Sequence, residues 1–176
     1  EGNGASSHYI GGTGFTSDFT WIKKRSNTAD YRIFDSVRGV TKSLKSNATQ
    51  AEGTESQALT AFNTDGFTLG TDDYTNGNGS TFVAWNWDMG GTTASNTSGS
   101  ITSSVRANTT YGQSIVGYTG NGTAGATVGH GLASAPTMVI VKSRTVAGKH
   151  WATYHVDLGN TVRIDLESSG AKITGT

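Results

Sequence analysis

Short alternating segments, separated by clusters of Gly, Asn, Asp and Ser, recur along this chain of 176 residues. Apolar and polar residues that alternate between such turn-forming clusters are typical of half-buried β-strands. The segment 51–62 has the best helical spacing, but Gly53 weakens it, so we expect only a turn of helix or a loop there. The sequence therefore predicts an all-β fold, an antiparallel β-sandwich. The nine predicted strands are 19–24, 31–35, 42–46, 67–70, 81–88, 114–119, 137–143, 150–155 and 162–167.

The composition argues against several classes of protein. Only 34 % of the residues are hydrophobic, yet the chain carries 4 Trp, 6 Tyr and 6 Phe, and disordered chains are usually poor in aromatic residues. The 13 basic and 13 acidic residues balance, so we expect no nucleic-acid partner, which would need a basic surface. The absence of cysteine removes disulfides, thiolate metal sites and cysteine nucleophiles. No apolar run approaches about 18 residues, so we expect no membrane span.

We expect an internal repeat with a unit of about 118 residues, because three ordered matches recur at nearly one offset. The matches are Gly-Asn-Gly at 2–4 and 120–122, Lys and Arg at 23–25 and 142–144, and "DYRIFDSVRG" at 30–39 over "HWATYHVDLG" at 150–159.

The repeat and the composition together predict three parts of the chain. Residues 1–90 form a first β-sandwich repeat that lacks its N-terminal part, and 111–176 form the start of a second repeat that lacks its C-terminal part. Between them, 91–110 is rich in Ser, Thr and Gly and is predicted to be a linker. The alternative is an exchange of strands between the two repeats. The opening "EGNGASSHYI" is neither a signal peptide nor an initiator sequence, so we expect the sequence to begin inside a longer chain.

Five segments carry a resemblance to a known family: "FTWIKKRSNTADYRIFDSVRG", "SNATQAE", "FNTDGFTLG", "STFVAWNWDMGG" and "SIVGYTGNGTAGATVGHGLASAPTMVIVKSR". They resemble a lectin-like repeat domain of tail-fibre and virion proteins of marine phages. The resemblance implies a concanavalin-like or laminin-G-like jelly-roll on an elongated protein, at a virion surface or otherwise extracellular. It also implies a homo-oligomer such as a trimer, and it brings no set of catalytic residues.

The stretch "TFVAWNWDMGG" holds two tryptophans on one side of a predicted strand, because side chains alternate across a strand. We interpret the face with Trp85 and Trp87 as sandwich core, since burial of an aromatic side chain is worth roughly 1.5–3 kcal/mol. A sugar-stacking platform is the alternative. The opposite face, with Phe82 and Ala84, is expected to be partly wet.

Tyr31 and Trp151 are the candidates for ligand stacking. They align with each other in the repeat, and each lies beside a polar residue, as suits an amphipathic aromatic at a half-wet site. Trp21 is predicted to be core instead, because its repeat partner is the aliphatic Ile140.

Basic residues at the ends of two matched strands, Lys24, Arg25 and Arg144, are the candidates for contact with an anionic ligand. They could hold an anionic glycan or a lipopolysaccharide phosphate. The alternative is a solvated edge whose charges block pairing between strands of different molecules.

Metal and catalytic chemistry find little support in the sequence. His150 and His155 lie five apart on a predicted strand, so they point to opposite faces. The loop "DDYTNGNGS" offers oxygen ligands but lacks the closing glutamate of a calcium loop, so we expect a hairpin loop. No paired carboxylates and no nucleophile elbow stand out. We therefore expect no metal, no cofactor and no enzyme.

The predicted function is a non-catalytic structural and attachment module of a virion tail fibre or a similar surface fibre. Its expected partners are further copies of itself and a cell-surface glycan. One alternative is a carbohydrate-binding module of a secreted bacterial protein. Another is a spacer without a ligand, for which Tyr31 and Trp151 are expected to be buried.

Overall fold

The chain, described for residues 1–174 in a computed structural model, is built almost entirely from β-strands. Strands make up 38 % and helices 4 %, which confirms the all-β prediction. The helical parts are α1, Asp73–Asn76, and a 3₁₀ turn at Val156–Leu158. The strands are β1 His8–Gly11, β2 Phe19–Lys24, β3 Arg32–Asp35, β4 Lys42–Ser43, β5 Gly53–Thr54, β6 Leu59–Asn63, β7 Gly66–Leu69, β8 Phe82–Trp87, β9 Ala94–Asn96, β10 Ser103–Asn108, β11 Gln113–Tyr118, β12 Met138–Val141, β13 Ala152–His155, β14 Val162–Asp165 and β15 Ile173–Thr174.

Two three-stranded antiparallel sheets pack face to face and enclose the main core. The tryptophan sheet has the order β3-β2-β8, and the covering sheet has the order β1-β7-β6. Ile22 and Phe34 point from the tryptophan sheet into the core, where they meet Leu59, Phe67 and Leu69 of the covering sheet. The pairing of two apolar faces in this way is a β-sandwich, as the alternation in the sequence predicts.

The nine predicted strands are all present, with ends that differ by up to three residues. The predicted turn of helix at 51–62 is wrong, because β5 and β6 lie there. Gly53 pairs with Ser43, and Leu59 is fully buried opposite Leu69. Pairing with neighbouring strands thus overrides a weak helical spacing.

A middle sheet, with the order β11-β10-β9, occupies much of the segment predicted to be a linker. Val105 of β10 is 6 % exposed, and the side chains of Asn108 and Gln113 donate to the carbonyl oxygen of Asp88. Arg106 forms an ion pair of 2.8 Å with the buried Asp18. The middle sheet is therefore fixed to the end of β8. The boundaries of the three parts and the repeat remain predictions.

A C-terminal sheet, with the order β12-β13-β14-β15, contacts the first sandwich through the loop 45–52. The indole N–H of Trp151 donates to the carbonyl oxygens of Lys45 and Ala48, at 2.9 and 3.1 Å. The ring of Trp151 joins Ile33 and Leu44 in a second apolar cluster on the outer face of the tryptophan sheet. This contact gives that face a partial cover and leaves a cleft beside it.

Candidate functional site

The outer face of the tryptophan sheet concentrates aromatic side chains. Trp21 of β2 lies directly opposite Trp85 of β8, and Phe19 lies opposite Trp87. The rings of Trp21 and Trp85 meet edge to face at 6.0 Å, and those of Phe19 and Trp87 at 5.1 Å. Tyr31 extends the row, with its ring 5.9 Å from that of Trp21. Such edge-to-face pairs stabilise one another and hold the rings in fixed orientations.

The interpretation of this face as sandwich core is wrong. Phe82 and Ala84, on the opposite face of β8, pack against the main core instead. Trp85 is 45 % exposed on the outer face. The physical reason is that β8 carries apolar residues on both faces, and the covering sheet lies on the side of Phe82 and Ala84. Trp21, which was predicted to be core, is half-buried. It packs against the second apolar cluster and also lines the cleft described below.

An aromatic cleft of about 550 Å³ opens on this outer face. Three of the four tryptophans line it, together with one tyrosine and a few polar groups. Its size lies within the roughly 300–1,000 Å³ that is usual for small-molecule sites. The lining residues are Trp21, Tyr31, Ser46, Asn47, Trp85, Trp87, Leu166 and Glu167.

Asn47 fixes the polar rim of the aromatic cleft. Its side-chain oxygen accepts from the backbone N–H of Tyr31 at 3.1 Å, and its amide donates to Asp30 at 2.9 Å. That hydrogen bond lowers the pKa of the Asp30 carboxyl and, with the nearby Lys45, outweighs the opposing effect of burial. The position of Tyr31 is therefore set by its backbone as well as by contact with Trp21.

Glu167 forms the other polar wall. His150 Nδ1 lies 2.5 Å from one carboxylate oxygen of Glu167, and the backbone N–H of Trp151 donates to the other at 3.1 Å. Burial raises the pKa of Glu167, but backbone hydrogen bonds and His150 outweigh burial, so the pKa lies below its ordinary value. The group is therefore a fixed, ionised acceptor.

The two predicted stacking residues have different environments. Tyr31 is half-buried and lines the aromatic cleft, where the ammonium of Lys23 lies 5.6 Å from the centre of its ring. Trp151 is 6 % exposed, and its indole N–H is already bonded. Its ring is thus part of the second apolar cluster beside the cleft and presents little surface to a ligand.

The predicted basic residues do not form one site. Lys24 is buried and forms an ion pair of 2.6 Å with Asp73. Arg25 is exposed at the end of β2. Arg144 binds both carboxylate oxygens of Glu52, each at 2.9 Å. Lys24 and Arg144 thus have partners within the chain.

The acidic loop after β7 is not a hairpin loop, because β7 and β8 belong to different sheets. Asp72 accepts from the backbone N–H of Tyr74 and so caps α1. Asn76 is buried and donates to the carbonyl oxygens of Ala5 and Gly70. Within residues 1–174, no three His, Asp or Glu side chains are grouped so that they could hold a metal ion.

Sequence reasoning missed Asn47 and Glu167 as lining residues, and it gave a surface role to Trp85 and Trp87 only as the alternative to sandwich core. The two tryptophans were assigned to the correct common face, but that face was placed inside. Asn47 and Glu167 come together across 120 positions of the chain, and no local pattern marks them.

Comparison with known proteins identifies a family without a described activity. A family model described as a domain of unknown function, DUF7483, matches residues 1–176. The chain belongs to the DUF7483 family. No curated protein and no solved structure matches it. Among residues 1–174 of this DUF7483 domain, no helix is both long and apolar enough to cross a membrane.

Proposed function

We propose that this DUF7483 domain is a non-catalytic attachment module that binds a glycan weakly through the aromatic cleft. The observation that carries the proposal is Trp85, a tryptophan that is 45 % exposed beside three further aromatic residues. A contiguous exposed apolar surface with a polar rim usually marks a binding site. The setting in a virion tail fibre or a similar extracellular fibre rests on the sequence resemblance alone.

The chemistry of the cleft suits a sugar. A pyranose ring has apolar C–H faces, which can lie against an aromatic ring, and hydroxyl groups around its edge. Trp85 and Trp21 supply the aromatic surface, while Ser46, Asn47 and Glu167 supply polar groups next to it. A few polar groups within an apolar pocket fix the orientation of a ligand. Several copies on one fibre would turn weak single sites into firm attachment.

The state of Glu167 does not suit a general acid. A general acid of a glycosidase needs a raised pKa, so that it keeps its proton. The pKa of Glu167 lies below its ordinary value, because hydrogen bonds from the backbone and from His150 outweigh burial. Both of its oxygens are also engaged by groups of the chain.

A glycan array tests the proposal. We expect specific binding by the wild type, and loss of at least about tenfold in affinity for Trp85→Ala and Tyr31→Ala, which is about 1.4 kcal/mol. Tyr118→Ala is the matched control, because Tyr118 is also 45 % exposed but lies outside the cleft. Circular dichroism reports whether each variant is folded. Binding that survives in folded Trp85→Ala would move the site elsewhere.

A spacer without a ligand is the second candidate function, and the burial of Trp151 favours it. If the domain is a spacer, neither the wild type nor Trp85→Ala binds a glycan on the array. An aromatic cleft that serves only packing would also leave Trp85 insensitive to added sugars in fluorescence titrations.

A further inference from the structure

The aromatic cleft has one charged wall. Glu167 is the single charged side chain among the described residues that line the cleft, which it shares with three tryptophans and one tyrosine. Burial raises the pKa of Glu167, but backbone hydrogen bonds and His150 outweigh burial, so the carboxylate is ionised at neutral pH. The face of an aromatic ring also attracts positive charge. The charge and the rings of the cleft therefore favour the same kind of ligand, a cation.

The rings of the cleft are inclined to one another and do not form a flat platform. The plane of Trp21 makes an angle of 61° with that of Trp85 and of 62° with that of Tyr31. Two rings inclined in this way cannot both lie flat against one face of a sugar ring. Because all three rings line the same cleft, they can contact different sides of one compact group. An alkylammonium group is compact, is positively charged and has C–H bonds on several sides.

The polar rim of the cleft has few free hydrogen-bonding groups. Both carboxylate oxygens of Glu167 have partners, which are His150 Nδ1 and the backbone N–H of Trp151. The side chain of Asn47 accepts from a backbone N–H and donates to Asp30. The rim therefore presents to a ligand chiefly the negative charge of Glu167. A quaternary ammonium group needs a counter-charge but no hydrogen bond, so the occupied rim is no obstacle to it.

Two lysines lie near the cleft without lining it. Lys142 is close enough to interact with the charge of Glu167, but its ammonium donates to backbone carbonyl oxygens, among them that of Thr49 at 3.3 Å. The ammonium of Lys23 lies 5.6 Å from the centre of the Tyr31 ring, so a ring of the cleft already holds an ammonium group. The charge of Lys23 opposes a second cation nearby, so its removal should strengthen cation binding.

We propose that the aromatic cleft binds an alkylammonium group, with the inclined rings around it and the Glu167 carboxylate as its counter-charge. This inference rests on the proposed function, under which the ligand is a glycan. The glycan then carries a protonated amino group or a choline substituent. Such a ligand is opposite in charge to the anionic one that the sequence predicts from Lys24, Arg25 and Arg144.

A pair of ligands tests the role of charge on the wild-type chain. Choline and 3,3-dimethylbutanol have the same shape, but a neutral carbon replaces the charged nitrogen in the second. We expect choline to change the tryptophan fluorescence with a dissociation constant at least about tenfold lower than that of 3,3-dimethylbutanol. Glucosamine and N-acetylglucosamine are the corresponding pair for a primary amine. Tighter binding of the charged member of either pair supports the proposal, and equal binding within both pairs would overturn it.

Two substitutions of opposite sign locate the bound cation. Glu167→Gln removes the charge but keeps an acceptor oxygen, so it should weaken choline binding at least about tenfold and leave 3,3-dimethylbutanol unaffected. Lys23→Gln should strengthen choline binding by about twofold or more. Asp157→Asn is the matched control, because Asp157 is an exposed acid that does not line the cleft, and it should bind choline as the wild type does. Unchanged choline binding in folded Glu167→Gln would contradict the proposal.

The glycan array separates failure of this inference from failure of the proposed function. A preference for glycans with choline or a free amine, lost in Trp85→Ala, supports both. Equal binding of neutral and amine-bearing glycans through Trp85 would overturn the alkylammonium site and leave the proposed function intact. Binding of choline without binding of any glycan would overturn the proposed function and the glycan as carrier of the cation. Silence of the array and of both ligand pairs would overturn both.

Discussion

Glu52 connects two arginines from distant parts of the chain. Its carboxylate lies 3.1 Å from Arg38 and 2.9 Å from Arg144, and Arg38 is buried with Asp35 as its other partner. Burial raises the pKa of Glu52, but the hydrogen bonds and charges of Arg144 and Arg38 outweigh it and lower the pKa. The group thus stabilises the fold only in its ionised form.

The sign of the pH dependence follows from that lowered pKa. The stabilisation is complete above the ordinary glutamate value of 4.5 and is lost as the pH falls through the lower folded value. Glu52→Gln should remove this part of the acid dependence and reduce the free energy of unfolding at neutral pH by about 3 kcal/mol. Urea unfolding at a series of pH values from neutral to about 3 measures the acid dependence and the free energy of unfolding at neutral pH. Glu1→Gln, at an exposed residue, should keep the wild-type profile; an unchanged profile in Glu52→Gln would contradict the prediction.

Lys24 shows what sequence reasoning can and cannot give for a single charge. The alternation in β2 places it on the same face as Thr20 and Ile22, which are both buried. The alternation therefore predicts that the Lys24 side chain points into the sandwich, although a lysine at a strand end is usually solvated. Its partner Asp73 lies 49 positions away, and no local pattern predicts that ion pair.

Gly66, the first residue of β7, lies against β1 with no room for a side chain. It has φ of 129°, and a Cβ atom there would lie 2.0 Å from the carbonyl oxygen of Ile10. Gly66→Ala should therefore reduce the free energy of unfolding by about 3 kcal/mol, since it adds both strain and a backbone clash. Thermal and urea unfolding measure the loss. Gly91→Ala is the control, because a Cβ there meets nothing within 4 Å; equal stability of the two variants would contradict the prediction.

Strands with a clear period of two were predictable, and the exceptions have physical causes. In β6 the register shifts between Leu59 and Ala61, which breaks the alternation and leaves Leu59 and Phe62 at a helical spacing. In β8 both faces are apolar, so the sequence could not tell which one the covering sheet would bury. Alternation predicts that a strand exists, but the neighbouring layers decide which face is core.

For the chain as a whole, the candidate site depends on contacts that no local pattern contains. Tyr31 was identified because it is an amphipathic aromatic at a strand end. The cleft around it requires that residues 142–151 dock on the loop 45–52, with hydrogen bonds such as Gly148 N–H to the carbonyl oxygen of Thr49. Docking of this kind is set by packing of the whole fold.

Trp151 is the side chain that connects these two parts. It is 6 % exposed, packs with Ile33 and Leu44, and donates to two carbonyl oxygens of the loop 45–52. Trp151→Ala should reduce the free energy of unfolding by about 3–5 kcal/mol, because it leaves a cavity and two unpaired acceptors. Trp85→Ala is the matched control, since Trp85 is 45 % exposed and should cost less than about 1 kcal/mol.

Glycan binding separates the roles of these two tryptophans. Under the proposed function, Trp85→Ala loses binding while its free energy of unfolding falls by less than about 1 kcal/mol, whereas Trp151→Ala loses binding only to the extent that it unfolds. Urea unfolding and the glycan array, run on the same preparations at a temperature where Trp151→Ala is still folded, measure both effects. Folded Trp151→Ala should then retain binding, because the Trp151 ring is nearly buried beside the cleft and does not line it. Loss of binding in that folded variant, at unchanged stability, would instead make Trp151 a ligand contact, as the sequence predicted.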